Sequence, residues 1–177
     1  MNTSFKLSFI IFVGLTLTAC NTSGNKSTQD PKSNILSRID TLESKTYDDA
    51  FRSSPDLNLL RRLSALYDSF STAFPDDTTS PEFLFKAGQL NENALSDNTK
   101  AIMYYSNAYK NYPNWRKREF MLFALGNAYH NLGDTTKAVE SLSKFSRQNP
   151  THEFADDALN LIKFIRMSKA EVDSLFK

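Results

Sequence analysis

Two histidines, one cysteine and three aspartate pairs are the residues whose types could do chemistry in this chain. His130 and His152 could bind a metal or move a proton, yet they have no cysteine partner and no HExxH-type spacing. That pattern points to surface or cap residues, and no metal site is assigned. Asp48-Asp49, Asp76-Asp77 and Asp156-Asp157 could act as paired carboxylates in acid–base catalysis. All three fall where turns or first helical turns are expected, and an acid there is favoured by the helix dipole. The sequence holds no Ser-His-Asp logic, phosphate loop or nucleotide fingerprint, so no catalytic residue is assigned and the chain does not read as an enzyme. The lone cysteine, Cys20, excludes an internal disulfide and a cysteine-based zinc site.

The elements that must position these residues are helical. With five Gly, scarce Val and fourteen Phe in 177 residues, the composition supplies a core and points away from a β protein. A net charge of +1, from 21 basic and 20 acidic side chains, indicates neither nucleic acid nor a strongly charged partner. The organising stretch is Leu122 to Pro150, with Leu122, Leu125, Gly126 and Tyr129, then Gly133-Asp134, then Ala138, Leu142, Phe145 and Pro150. Apolar residues at three- and four-residue steps, broken at Leu-Gly-Asp and closed by proline, predict two helices in a hairpin. Gly126 and Ala138 are the small residues that let the backbones approach. Gly88, Ala101, Tyr105, Ala108 and Pro113 repeat the pattern upstream, and Leu63, Tyr67, Phe70 and Pro75 give half of a third copy.

Further helices are expected from their start signals. They run from Ile35 with Leu36, Ile39 and Leu42; from Ser54-Pro55-Asp56 to about Phe74; from Ser80-Pro81-Glu82 to Asn93; and from Asp97 or Asn98 to Tyr112. The core hairpin is expected over 114–132 and 135–148, and Thr151 opens a helix with Phe154, Ala158, Leu161, Ile162 and Ile165. Aligned on the repeat, Ile162 stands where Gly88 and Gly126 stand, and its bulk marks a capping helix. Ser168 and Glu171 form a capping box for a last short helix with Val172, Leu175 and Phe176, which either seals the stack or serves as a tail for a partner.

These spacings resemble the tetratricopeptide-repeat family, with clear repeats at about residues 81–113 and 119–150. The resemblance implies an all-α fold, a short solenoid of antiparallel helical hairpins with a C-terminal capping helix, over residues 35–177. It also implies a protein that binds partners and seldom does chemistry. By the same resemblance the first helix of each hairpin lines a concave face, where Phe85, Gln89, Glu92, Phe120, Phe123, Asn127 and His130 would meet a partner. Rings would supply buried area and amides would satisfy a peptide backbone. The alternative is that Phe85 and Phe123 pack against an N-terminal helix folded into the groove. Chaperone-binding members hold a carboxylate with a lysine where Phe123 stands; Asn127 matches their asparagine, but without the lysine that clamp is excluded. Arg116, Lys117 and Arg118 after Trp115 sit at an expected helix start against the dipole, which hints at contact with an anionic lipid or acidic partner. The opposing reading is a solvated junction with Glu119 compensating.

Residues 1–19 read as a targeting segment: Lys6, then apolar Leu7 to Thr18, a run too short for the ~20 residues of a spanning helix. Leu17-Thr18-Ala19-Cys20 resembles the bacterial lipobox, which implies cleavage before Cys20 and its acylation, with no other cofactor. Residues 20–34 then form the acylated cysteine and a disordered tether of roughly 20 Å coil dimension. Asn21 is not the acidic residue that retains such proteins in the inner membrane, so the outer membrane, facing the periplasm, is favoured. The repeat region is similar to the lipoproteins of the β-barrel assembly machine and to the C-terminal domain of the tol-pal coordinator. That similarity implies a scaffold for another envelope protein or peptide, without nucleic acid or metal. A small ligand or cell-wall fragment held in the groove is the alternative.

Overall fold

The computed structural model describes residues 30–50 and 55–167 of the chain. Among them are seven α-helices and no strand: α1 (Pro31–Ala50), α2 (Leu57–Ala73), α3 (Ser80–Asn93), α4 (Asn98–Asn111), α5 (Phe120–Leu132), α6 (Thr135–Gln148) and α7 (Ala155–Arg166). Each helix packs on the next in the chain, so the architecture is the expected all-α stack. The signal segment, Cys20, Asn21 to Gln29, Phe51 to Ser54 and the segment from Ser168 to Phe176 lie outside the described residues.

Local chemistry explains where the helices start. Asp134 and Asp97 cap α6 and α4, accepting from the backbone N–H of Lys137 at 3.1 Å and of Lys100 at 3.0 Å. Asp56 takes the cap of α2, accepting from Asn58 N at 2.8 Å and Leu59 N at 3.2 Å, so it is not a first-turn acid behind Ser54. Ser80 is the first helical residue of α3 and not its cap. Its buried hydroxyl donates to Phe74 O at 2.6 Å and ties the preceding turn. Gly133 ends α5 with φ 85°, a left-handed conformation that favours glycine, with nothing near the place a Cβ would take.

Three boundaries differ from expectation. α1 starts at Pro31, inside the segment read as tether, because Asp30 accepts from Ser33 N at 3.2 Å and Pro31 suits a first helical position. α5 begins at Phe120 and not at Asn114: after Pro113 the chain makes turns closed by Trp115 N to Tyr112 O at 3.1 Å and Arg118 N to Trp115 O at 2.9 Å. α7 begins at Ala155 and not at Thr151, because His152 holds the turn before it, accepting from Phe154 N at its Nδ1 at 3.2 Å.

The hairpin seams are as close as the small residues imply. A Cβ on Gly88 would lie 2.2 Å from Tyr105 Cε1, and one on Gly126 would lie 2.4 Å from Leu142 Cγ. A large side chain of each second helix therefore lies over a glycine of the first. The half repeat seen at Leu63 to Pro75 is completed by α1. Tyr67 OH donates to Glu43 Oε1 at 2.6 Å, as Tyr105 OH donates to Glu92 Oε2 at 2.8 Å. Glu43 stands four residues after Ile39, as Glu92 stands four after Gly88, so Ile39, 1% exposed, takes the glycine's place. At the other end Ala158 and Ile162 of α7 join Leu122, Leu142 and Phe145 in a second core cluster.

Leucine at Gly126 overpacks its seam and is expected to cost about 1–3 kcal/mol, read as a lower urea midpoint at unchanged slope. An unaltered midpoint would refute this packing. Glu43 gives a pH test. Burial opposes its charge, but hydrogen bonds from Lys86 and Tyr67 outweigh that and hold its carboxyl below the ordinary range. The stabilisation is then complete above the ordinary carboxylate range and disappears as pH falls through the lowered value. The stability gap between the native chain and Glu43→Gln should therefore be largest near neutrality and close on acidification; a gap independent of pH would contradict it.

Candidate partner-binding site

The first helices of the hairpins bring the expected groove residues onto one face, but the rings are already occupied. Phe85, 8% exposed, lies 5.9 Å from Phe120, 6.1 Å from Trp115 and 6.2 Å from Tyr105 between ring centroids, with the Lys117 ammonium 4.9 Å above it. Phe120 and Phe123 meet Phe154 at 5.2 and 5.3 Å, and His152 stacks on Phe120 at 6.1 Å. These three rings and Phe154 thus form a zipper running from α3 through α5 to the start of α7. α1 does not supply the packing that the alternative reading assigned to it; α1 packs on α2, and the covering groups come from the two inter-hairpin loops. Aromatic pairs of this kind add about 0.5–1.5 kcal/mol each beyond their area.

Beside the zipper the face is polar and open. Gln89 is exposed, and Asn127, His130 and Glu92 are half-buried. Asn131 Nδ2 donates to Glu92 Oε1 at 3.3 Å, joining α5 to α3. The ring of His130 lies edge-on to Phe164 at 6.2 Å. Counting from the seam residue, Leu159, Lys163 and Arg166 on α7 stand where Phe85, Gln89 and Glu92 stand on α3. All three are exposed, Leu159 at 53%, and they extend the face by one helix. The repeat register could have found them; reading α7 only as a cap concealed them.

Two equivalent carboxylates on this face are treated differently. Glu43 accepts from Tyr67 and also from Lys86 Nζ at 2.7 Å. Glu92 accepts from Tyr105, but no cation pairs with it among the described residues. Burial raises its pKa, and the Tyr105 hydrogen bond only partly opposes that shift. The reason lies one helix further along. Lys86 of α3 reaches back to α1, and the residue at the corresponding place on α5 is Ala124, 5% exposed.

The basic run is largely used inside the molecule. Lys117 Nζ donates to Glu82 Oε1 at 2.6 Å. Arg118 pairs with Glu119, donates from Nε to Tyr109 O at 3.1 Å, and stacks 4.1 Å over the Tyr109 ring. Arg116 alone of the three is exposed. The run precedes α5, in turns, so the expected conflict with the helix dipole does not arise. Of the aspartate pairs, Asp77 holds a turn. Its carboxyl lies below the ordinary range because of hydrogen bonds from Lys32 and from the backbone and side chain of Thr79, with Lys32's charge adding to them. Asp156 and Asp157 sit in the first turn of α7, where acids favour the helix.

Among the described residues no group of His, Cys, Asp and Glu is placed to hold a metal, and no helix is long and apolar enough to cross a membrane. No curated protein matches the sequence. A family model for the tetratricopeptide repeat matches residues 82–114 and 121–152, within two residues of the repeats read from spacing. Those segments are α3 with α4 and α5 with α6, so the chain carries two tetratricopeptide repeats inside an all-helical stack of hairpins.

Proposed function

We propose that this chain is an interaction scaffold, as its two tetratricopeptide repeats suggest, for such repeats typically bind proteins without catalysis. We propose that it is held in the bacterial cell envelope by acylated Cys20, at the periplasmic side of the outer membrane, and presents its open face to an extended segment of another envelope protein. Accessory service to outer-membrane protein assembly is the role this reading favours. The observation that carries the binding mode is Glu92: a half-buried carboxylate, anchored by Tyr105 and paired with no cation among the described residues, beside the amides of Gln89 and Asn127. Amides can satisfy a peptide backbone, and a lysine or arginine of the partner would place at Glu92 the charge that Lys86 places at Glu43. Leu159 offers the apolar contact at the far end.

Photo-crosslinking residues placed at Gln89 and Asn127 should give a discrete adduct in native cells, whereas one at exposed Glu140 on α6 should not. Glu92→Gln should weaken the Asn127 adduct without changing helicity. Equal labelling from 127 and 140 would overturn the site, and adducts with glycan only would transfer the groove to a cell-wall ligand. Separately, Cys20→Ala should move the protein from the membrane to the soluble fraction and abolish incorporation of labelled palmitate. Membrane retention of that variant would remove the anchor from the reading.

A further inference from the structure

The molecule has a second surface of different character, on α1 and α2 and independent of the concave face. A cleft of about 390 Å³ runs between these helices. On α1 it is lined by Arg38, Thr41 and Lys45, and on α2 by Arg62, Ala65 and Ser69, the same i, i+3, i+7 register on both helices. Leu42 and Leu66 form its floor. The matched stripes extend for about two turns, roughly 10 Å at 1.5 Å per residue. No residue of α3 or later lines the cleft, because α1 and α2 reach α3 by other faces, through Glu43 to Lys86 and Ser64 to Asn91.

On the corresponding flank each later hairpin is met by the helix before it: α2 packs on α3, and α4 packs on α5. Before α1 no described helix stands, and the floor is apolar while the rim is cationic. Described acids of the same helices do not line the cleft. Glu43 is engaged by Tyr67 and Lys86, and Asp68 faces the side where Asn107 and Asn111 of α4 stand. In a chain of net charge +1 this segregation is local. A second copy stacked head to tail is disfavoured, because the opposite end of the stack presents Lys163 and Arg166 beside Leu159. Like charges would then face each other across the junction.

We propose that this flank docks an acidic amphipathic helix of a partner protein, with its apolar stripe on Leu42 and Leu66 and its carboxylates against Arg38, Lys45 and Arg62. A furrow between two helices suits a helix better than a flat bilayer.

The test uses the full chain and a designed helical peptide with a leucine stripe flanked by glutamates, beside the same peptide with glutamines. Saturable 1:1 binding of the acidic peptide is expected. It should weaken by about tenfold or more in Arg38→Gln/Arg62→Gln, in the glutamine peptide, and as salt rises. Arg116→Gln, on a different loop, should bind as the native chain does. No saturable binding, or equal binding by all variants and both peptides, overturns the proposal. So does loss of the Arg38 and Arg62 dependence to competing phosphatidylglycerol vesicles, which would make the flank a membrane contact.

Discussion

The structure depends on how closely two helices of a hairpin can approach. At Gly88 and Gly126 the second helix lays Tyr105 and Leu142 over bare backbone, at distances that leave no room for a Cβ. Both large side chains are almost wholly buried, Tyr105 at 1% and Leu142 at 0% exposure, so the gain in packing is large for one atom omitted. Where the glycine is replaced by buried Ile39, the hairpin still forms, and its tyrosine is tied to a glutamate as Tyr105 is, with Lys86 added to the pair.

Cohesion between hairpins comes from a different source. The zipper of Phe85, Phe120, Phe123 and Phe154 depends on rings carried by loops as well as by helices, with Trp115 and His152 closing its sides. Each ring touches only its own hairpin and the ones directly beside it. The stack is therefore a chain of neighbour interactions, in which loss of one contact weakens one junction and leaves the others in place. The two core clusters, one around α1 to α5 and one around α6 and α7, meet through α5, which contributes Met121 and Ala124 to the first and Leu122 to the second.

This division explains what the sequence could reveal. Seams, caps at Asp97 and Asp134, and the stop at Gly133 are local, and periodicity with capping chemistry finds them. α1 escaped recognition as a repeat helix because its seam residue is isoleucine, and because Tyr67 lies 24 positions from Glu43 whereas Tyr105 lies 13 from Glu92. The late starts of α5 and α7 follow Pro113 and Pro150, where side chains and turns compete with helix and no apolar period reports the outcome. Spacing leaves open whether the groove aromatics meet a partner or the chain itself, because it gives the face of a ring and not its neighbours. Trp115 and Phe154 reach them from loops, which no helical period describes.

Charge completes the contrast between hairpins. A lysine on α5 at the place of Ala124 would repeat the Lys86 arrangement and neutralise Glu92, but Ala124 is packed among core residues at 5% exposure. Burying an ammonium stem there would cost more than the pair returns, since one charge would lose water before meeting the other. Helix packing at the second junction thus forbids the internal cation that the first junction uses. Glu92 can reduce its cost by taking a proton, by keeping water on its open side, or by meeting a cation from another molecule. Packing between these two hairpins thus leaves Glu92 with hydrogen bonds from Tyr105 and Asn131 but with no cation among the described residues.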